Sequence, residues 1–159
     1  MAEKYLAIYL NDHLAAAVGA VQLARRATSA NRGSPYGDTL ADLAVEIEDD
    51  RRTLQNILRR LDIRVDPLKV LASLGAERIG RLKLNGELVR YSPLSRLEEV
   101  EILSLGVAGK LRLWRTVAAT LGGDPRIDDV DFDRLIERAT SQRRRLDRLH
   151  RRAAKEALA

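Results

Sequence analysis

The sequence predicts an all-α protein, a bundle of four long helices with one shorter helix between the second and third of them, and three observations carry that reading. Alanine, leucine and arginine abound while aromatic residues make up only 4% of the chain, a composition that suits helices and not sheets. Apolar residues recur at steps of three and four, the one-face spacing of an α-helix. Clusters of Gly, Pro, Asn and Ser punctuate those runs. At 159 residues, with no internal repeat and no low-complexity linker, residues 1–159 are expected to form one helical-bundle domain, large enough to bury a core without covalent staples.

The first helix is expected from about Glu3 to Ser29, on the stripe Leu10, Leu14, Ala17, Val21 and Ala24. Asn31-Arg32-Gly33-Ser34-Pro35 breaks it. The second begins near Asp38, an acceptor for free N–H groups of the first turn, and its stripe is Leu40, Leu43, Ile47, Leu54, Ile57 and Leu61. Asp66-Pro67 starts a shorter helix that Asn85-Gly86 stops, with Asp as cap and Pro pre-set at the first helical position. Ser95-Arg96-Leu97-Glu98 reads as a capping box for the next long helix. That helix carries a near-heptad seam, Leu97, Val100, Val107, Leu111, Trp114, Ala118 and Leu121, with Leu103, Leu105, Leu113 and Val117 outside it. A helix apolar on more than one side is buried on more than one side, so it is either central or part of an oligomer contact. Gly122-Gly123-Asp124-Pro125 ends it, and the last helix runs from about Asp131 to Leu158. The connection over residues 63–94 is long enough to cross the whole bundle, as the long connection of ferritin-like folds does.

Composition removes several function classes. There is no cysteine, hence no disulfide, thiolate metal site or cysteine nucleophile. No run of about eighteen apolar residues is present. Met1-Ala2-Glu3-Lys4 leads into an amphipathic stretch broken by Asn11, Asp12 and His13, which is not the apolar core of a signal segment. The expectation is a cytoplasmic protein with no membrane partner. The net charge is +5, from 28 Lys and Arg against 23 Asp and Glu. With acids almost as numerous as bases, nucleic-acid binding is only an alternative reading.

Several polar residues interrupt the apolar seams. Asp50 occupies a seam position of the second helix with Glu46 beside it, Ser104 and Lys110 interrupt the central helix, Gln142 lies between Ala139 and Leu146, and Asp12 and His13 adjoin Leu10 and Leu14. Asp50, Lys110 and Gln142 are mid-helix and so come to similar heights in a bundle. An unpaired buried charge costs several kcal/mol, which predicts that Lys110 pairs with Asp12, Glu46 or Asp50. Asp12, His13, Glu46, Asp50, Lys110 and Gln142 are therefore the candidate polar network or ligand pocket, with no catalytic residue assigned. Gly106 and Gly109, each costing about 1 kcal/mol inside a helix, are expected to pack against the small face Ala15, Ala16, Ala17, Gly19 and Ala20.

A di-iron centre needs a carboxylate from each of two helices and Glu-x-x-His from each of the other two. The chain has Glu46-x-x-Asp49 and Glu98-x-x-Glu101 but only Asp147-x-x-His150 for the rest, among arginines, so no metal and no cofactor are expected. Gly106-Val107-Ala108-Gly109-Lys110 lacks the spacing and the Ser or Thr of a phosphate loop. Arg143, Arg144, Arg145, Arg148, Arg151 and Arg152 form the dense basic patch, available to phosphates but without aromatic interleaving or a reader motif.

Four stretches together, Tyr9-Leu10-Asn11-Asp12-His13-Leu14-Ala15, Glu46-Ile47-Glu48-Asp49-Asp50, Glu77-Arg78-Ile79-Gly80-Arg81-Leu82-Lys83-Leu84 and Gly106-Val107-Ala108-Gly109-Lys110 through Leu113-Trp114, resemble a family of uncharacterised bacterial helical proteins. That resemblance implies a ferritin-like four-helix bundle shape and carries no activity or cofactor, and shape alone is not iron chemistry. The reading favoured on sequence is a non-enzymatic interaction or scaffold protein, self-associating as a dimer through the surplus apolar surface of the central helix. Its alternatives are a small-ligand binder or enzyme using the mid-bundle polar residues, and a weak non-specific nucleic-acid binder using the C-terminal arginines.

Overall fold

The computed structural model describes residues 1–72 and 91–159, and among them it is all-helical with no strand. Four long helices are present: α1 (Ala2–Ala30), α2 (Gly37–Arg60), α3 (Pro93–Leu121) and α4 (Phe132–Leu158). Residues 67–72 are also helical, after the Asp66 carboxylate has accepted from the backbone N–H groups of Leu68 and Lys69. The rest of the short helix expected up to Leu84, and the stretch from Glu77 to Leu84, lie outside the described residues.

Local chemistry sets each end. Asn31 closes α1, its side-chain amide donating to the Ala27 carbonyl at 2.8 Å. The chain then turns so tightly that a Cβ on Gly37 would meet the Asn31 carbonyl oxygen at 2.8 Å; a glycine is needed there for close approach. Thus α2 starts at Gly37, and Asp38 makes no capping hydrogen bond but supplies negative charge to the first turn, where it complements the helix dipole. The capping box of α3 lies three residues earlier than expected: Ser92 and Ser95 exchange side-chain-to-backbone bonds and Pro93 opens the helix. Proline is favoured at that first position because its missing N–H has no intrahelical partner there anyway. Asp131 caps α4 by accepting from the Arg134 N–H.

Polar contacts between helices give their directions. Arg25 reaches Glu48, Arg26 reaches Glu99, Arg96 reaches Glu156 and Arg60 reaches Asp129, so α1 and α2, α1 and α3, α3 and α4, and α2 and α4 are each antiparallel. Going round the structure the order is α1, α2, α4, α3, with α2 and α3 parallel across the diagonal. The α3–α4 and α1–α2 contacts are the most extensive and the α2–α4 seam is the most open. The long connection therefore starts at one end and finishes at the other, and two buried asparagines, Asn11 within α1 and Asn31 at its C-terminal cap, hold its ends. Asn11 donates to the Arg64 carbonyl at 3.0 Å and accepts from the Asp66 N–H at 2.8 Å. Asn31 donates to the Tyr91 hydroxyl at 2.7 Å and accepts from Arg96 at 2.6 Å.

The apolar core comes in two halves. One gathers Val21, Leu40, Leu43, Ile47, Val100, Val107 and Leu146 near the α1–α2 turn. The other gathers Leu10, Leu14, Leu54, Ile57, Leu111, Trp114 and Ala139 near the α3–α4 turn. The seam of α3 is buried from Leu97 to Trp114, Trp114 completely, while Ala118 and Leu121 are partly buried; Leu103, Leu113 and Val117 are also consumed by the chain's own core, whereas Leu105 stays 74% exposed. Of the four helices only α1 is long and apolar enough to cross a membrane by length and composition; here its apolar face, from Leu10 through Ala27, lies in both core halves.

The two central glycines do not mediate close helix approach. A Cβ added to either Gly106 or Gly109 would meet no atom within 4 Å, so their cost to the helix is not offset by packing at their own Cα. Gly109→Ala should accordingly raise stability by about 0.5–1 kcal/mol, measured as a higher midpoint at unchanged slope in urea melts; a loss of stability would mean that Gly109 is a contact point.

Candidate functional site

Between the two core halves lies a layer of charge. Lys110 of α3 donates to the Asp50 carboxylate of α2 and, at 2.5 Å, to the Gln142 side-chain carbonyl of α4. The Gln142 amide donates in turn to Asp50 at 3.1 Å and to Glu46 at 3.0 Å. Arg138 binds the other Asp50 oxygen, and Arg145 binds Glu46. Asp50 and Gln142 are buried at 2% and 0% exposure, and the Lys110 side chain keeps only 13% of its surface. Burial pushes the Lys110 pKa below the ordinary lysine value, against the opposing pull of Asp50.

The local reason for this layer is helical spacing. Arg138, Gln142 and Arg145 lie four and three residues apart, hence on one face of α4, with Gln142 in the seam and an arginine on each side of it. Glu46 and Asp50 are one turn apart on α2. The open α2–α4 seam is wide enough for long side chains, and these five bridge it. Three cations, Lys110, Arg138 and Arg145, face two carboxylates, so the layer carries one surplus positive charge.

Lys110 and Asp50 also line a cleft of about 50 Å³ on the α1 side. Ala16, Ala17 and Ala20 of α1 and Gly106 of α3 form small-residue walls, and Leu54, Leu103, Val107 and Trp114 form apolar ones. Ala16 and Gly106 are both exposed and mark its mouth. A buried water needs roughly 10–15 Å³ measured this way, so the space takes a few waters or a ligand of a few non-hydrogen atoms.

The polar lining has an asymmetry. Both Asp50 oxygens already accept from protein donors, whereas donors remain. Among the described residues Lys110 uses two of its three N–H groups, and the indole N–H of Trp114, fully buried, has no partner. Buried donors without acceptors cost free energy, so the cleft suits an acceptor. His13 lines it too, its ring set edge-on to Tyr9 at 4.7 Å between centroids. Burial lowers the His13 pKa despite the nearby Asp12 carboxylate.

Of the residues singled out on sequence, Glu46, Asp50, Lys110 and Gln142 meet in one network, and His13 joins them only across the cleft. Asp12 does not belong to it: the side chain points to solvent and pairs with Lys69 at 2.6 Å. Ser104 returns its hydroxyl to the Val100 carbonyl at 2.8 Å. The basic patch is divided, because Arg145 turns inward to Glu46 and Arg152 pairs with Glu156 and stacks over Tyr36; Arg143, Arg144, Arg148 and Arg151 remain exposed. Among the described residues no three His, Asp or Glu side chains converge as a metal site. Sequence reading missed Arg138 as a network member and Trp114 and Gly106 as parts of a cleft. The repeat of Arg138, Gln142 and Arg145 on one face was the available signal for the first. Comparison with protein-family models, curated proteins and solved structures finds no match to the chain, so the site is interpreted from its geometry.

The network makes the two partners of its central pair unequal. Lys110→Met leaves Asp50 with Arg138 and Gln142, at a cost of about 1–3 kcal/mol. Asp50→Ala strands a buried ammonium on one carbonyl, at about 3–5 kcal/mol. Because the folded pKa of Lys110 lies below its unfolded value, the folded chain holds fewer protons between the two, and stability conferred through Lys110 rises with pH in that window. Urea melts should therefore show a larger loss for Lys110→Met at about pH 10 than at about pH 7; equal losses at both, or a larger loss for Lys110→Met than for Asp50→Ala, would contradict the arrangement.

Proposed function

We propose that this chain is a ferritin-like four-helix bundle that has no resident metal and binds a small organic molecule in its mid-height cleft. The single observation behind this reading is a cleft with apolar walls on which Lys110 keeps an N–H that no described residue accepts, beside a surplus positive charge. A short carboxylate fits that chemistry. Its oxygens accept from Lys110, its charge compensates the third cation, and its alkyl part lies against Leu54, Leu103 and Val107. The antiparallel pairs joined by a connection that changes ends support the ferritin-like shape. The ion pairs at the height of the metal layer set the bundle's register in place of metal ligands.

The chain has one tryptophan, which makes Trp114 a reporter of occupancy. Propionate should shift the indole N–H resonance and the fluorescence of the native protein with a Kd of roughly 0.1–1 mM, in keeping with the few non-hydrogen atoms involved. Gly106→Leu, which fills the mouth, should weaken that response at least about tenfold. No response at concentrations well above that range would end the small-molecule reading.

The outer face of α3 favours a second role, self-association. Leu94, Ile102 and Leu105 are exposed on one side of the helix, and pairing two copies through them would remove that surface from water. Light scattering on the eluting protein should show a dimer that Leu105→Glu converts to a monomer; a native monomer rules this role out.

A further inference from the structure

Lys110 is set up as a nucleophile as well as a charge. Its two bonded N–H groups go to Asp50 and Gln142, and both acceptors serve a neutral amine as well as an ammonium. Removing one proton leaves Arg138 with Asp50 and Arg145 with Glu46, so the layer becomes balanced instead of carrying a surplus charge. The valence vacated by that proton becomes a lone pair on the side of Lys110 that has no partner among the described residues, and Lys110 lines the cleft.

We propose that Lys110 forms an imine with a small aldehyde or ketone held in this cleft, an inference that rests on the small-molecule reading above. His13, which lines the cleft and is neutral near pH 7 because burial lowers its pKa, takes a proton from the ammonium. The Lys110 nitrogen then bonds to the carbonyl carbon as the C=O π electrons move to oxygen, giving a carbinolamine after proton transfer from nitrogen to oxygen. The imidazolium returns its proton to the hydroxyl, water leaves, and a protonated C=N bond remains. Ammonium and carbonyl compound thus become iminium and water, with charge unchanged. The iminium keeps one N–H for Asp50. Low dielectric and a desolvated amine are the ordinary means of activating a lysine for this chemistry.

The test uses the native chain, limiting propanal and sodium cyanoborohydride near neutral pH, with peptide mapping of the propylated amines. Lys110 should be labelled at least about tenfold faster than the exposed Lys4. Gly106→Leu should slow the labelling of Lys110 and leave that of Lys4 unchanged. Labelling of Lys110 no faster than Lys4, with propionate still shifting the Trp114 signals, overturns the covalent proposal and leaves the binding reading standing. Absence of both overturns both. Fast labelling of Lys110 that Gly106→Leu does not slow shows a reactive surface amine and overturns the assignment to the cleft.

Discussion

A lysine drawn into the middle of the bundle has to find its counter-charge there, and the pairing of Lys110 with Asp50 and Gln142 is the constraint from which the rest of the arrangement follows. Each partner comes from a different helix, so α2, α3 and α4 are held at one relative height. A slip of one turn on any of them would leave a carboxylate or an ammonium in a low-dielectric interior without a partner, at several kcal/mol. Apolar seams alone are more forgiving, since a leucine displaced by a turn meets another leucine. The charged layer thus contributes register more than net stability, which is the best-attested use of buried polar groups.

The cleft is the other side of the same arrangement. Three helices fill the mid-height with long polar side chains, whereas α1 brings Ala16, Ala17 and Ala20 to that height and α3 adds Gly106. Small side chains cannot reach across to meet the network, and space remains between α1 and the ion layer. The α2–α4 seam is open in its backbone but filled by ion pairs, while the α1–α3 side keeps a cavity. Lys110 stands at the boundary, with two valences in the network and its side chain lining the cleft.

The connection between α2 and α3 has its own physical anchor. Asn11 and Asn31, buried at 7% and 1% exposure, each use both ends of the amide, so α1 fixes the chain where it leaves one end of the bundle and where it enters the other. On sequence Asn11 is merely an interruption of an apolar face and Asn31 part of a breaker cluster. Neither reading gives a partner, because the groups they bind are 53 to 65 residues away in the chain.

Much was determined by the sequence alone. Periodicity placed the four long helices to within a few residues, since the apolar stripe and the capping residues are local properties. The position of Asp50, Lys110 and Gln142 in otherwise apolar seams, together with the cost of an unpaired buried charge, was enough to expect a network at mid-height. What the tertiary structure decided were matters of which face meets which. It drew Arg145 inward from a run of arginines and Arg138 inward beside it, sent Asp12 out to Lys69, and moved the α3 capping box to Ser92 and Ser95. It also left Gly106 facing open space where close packing was expected. Spacing along one helix fixes the face a residue occupies, but a cavity is the space several helices fail to fill, and that depends on their separation, which no single helix encodes.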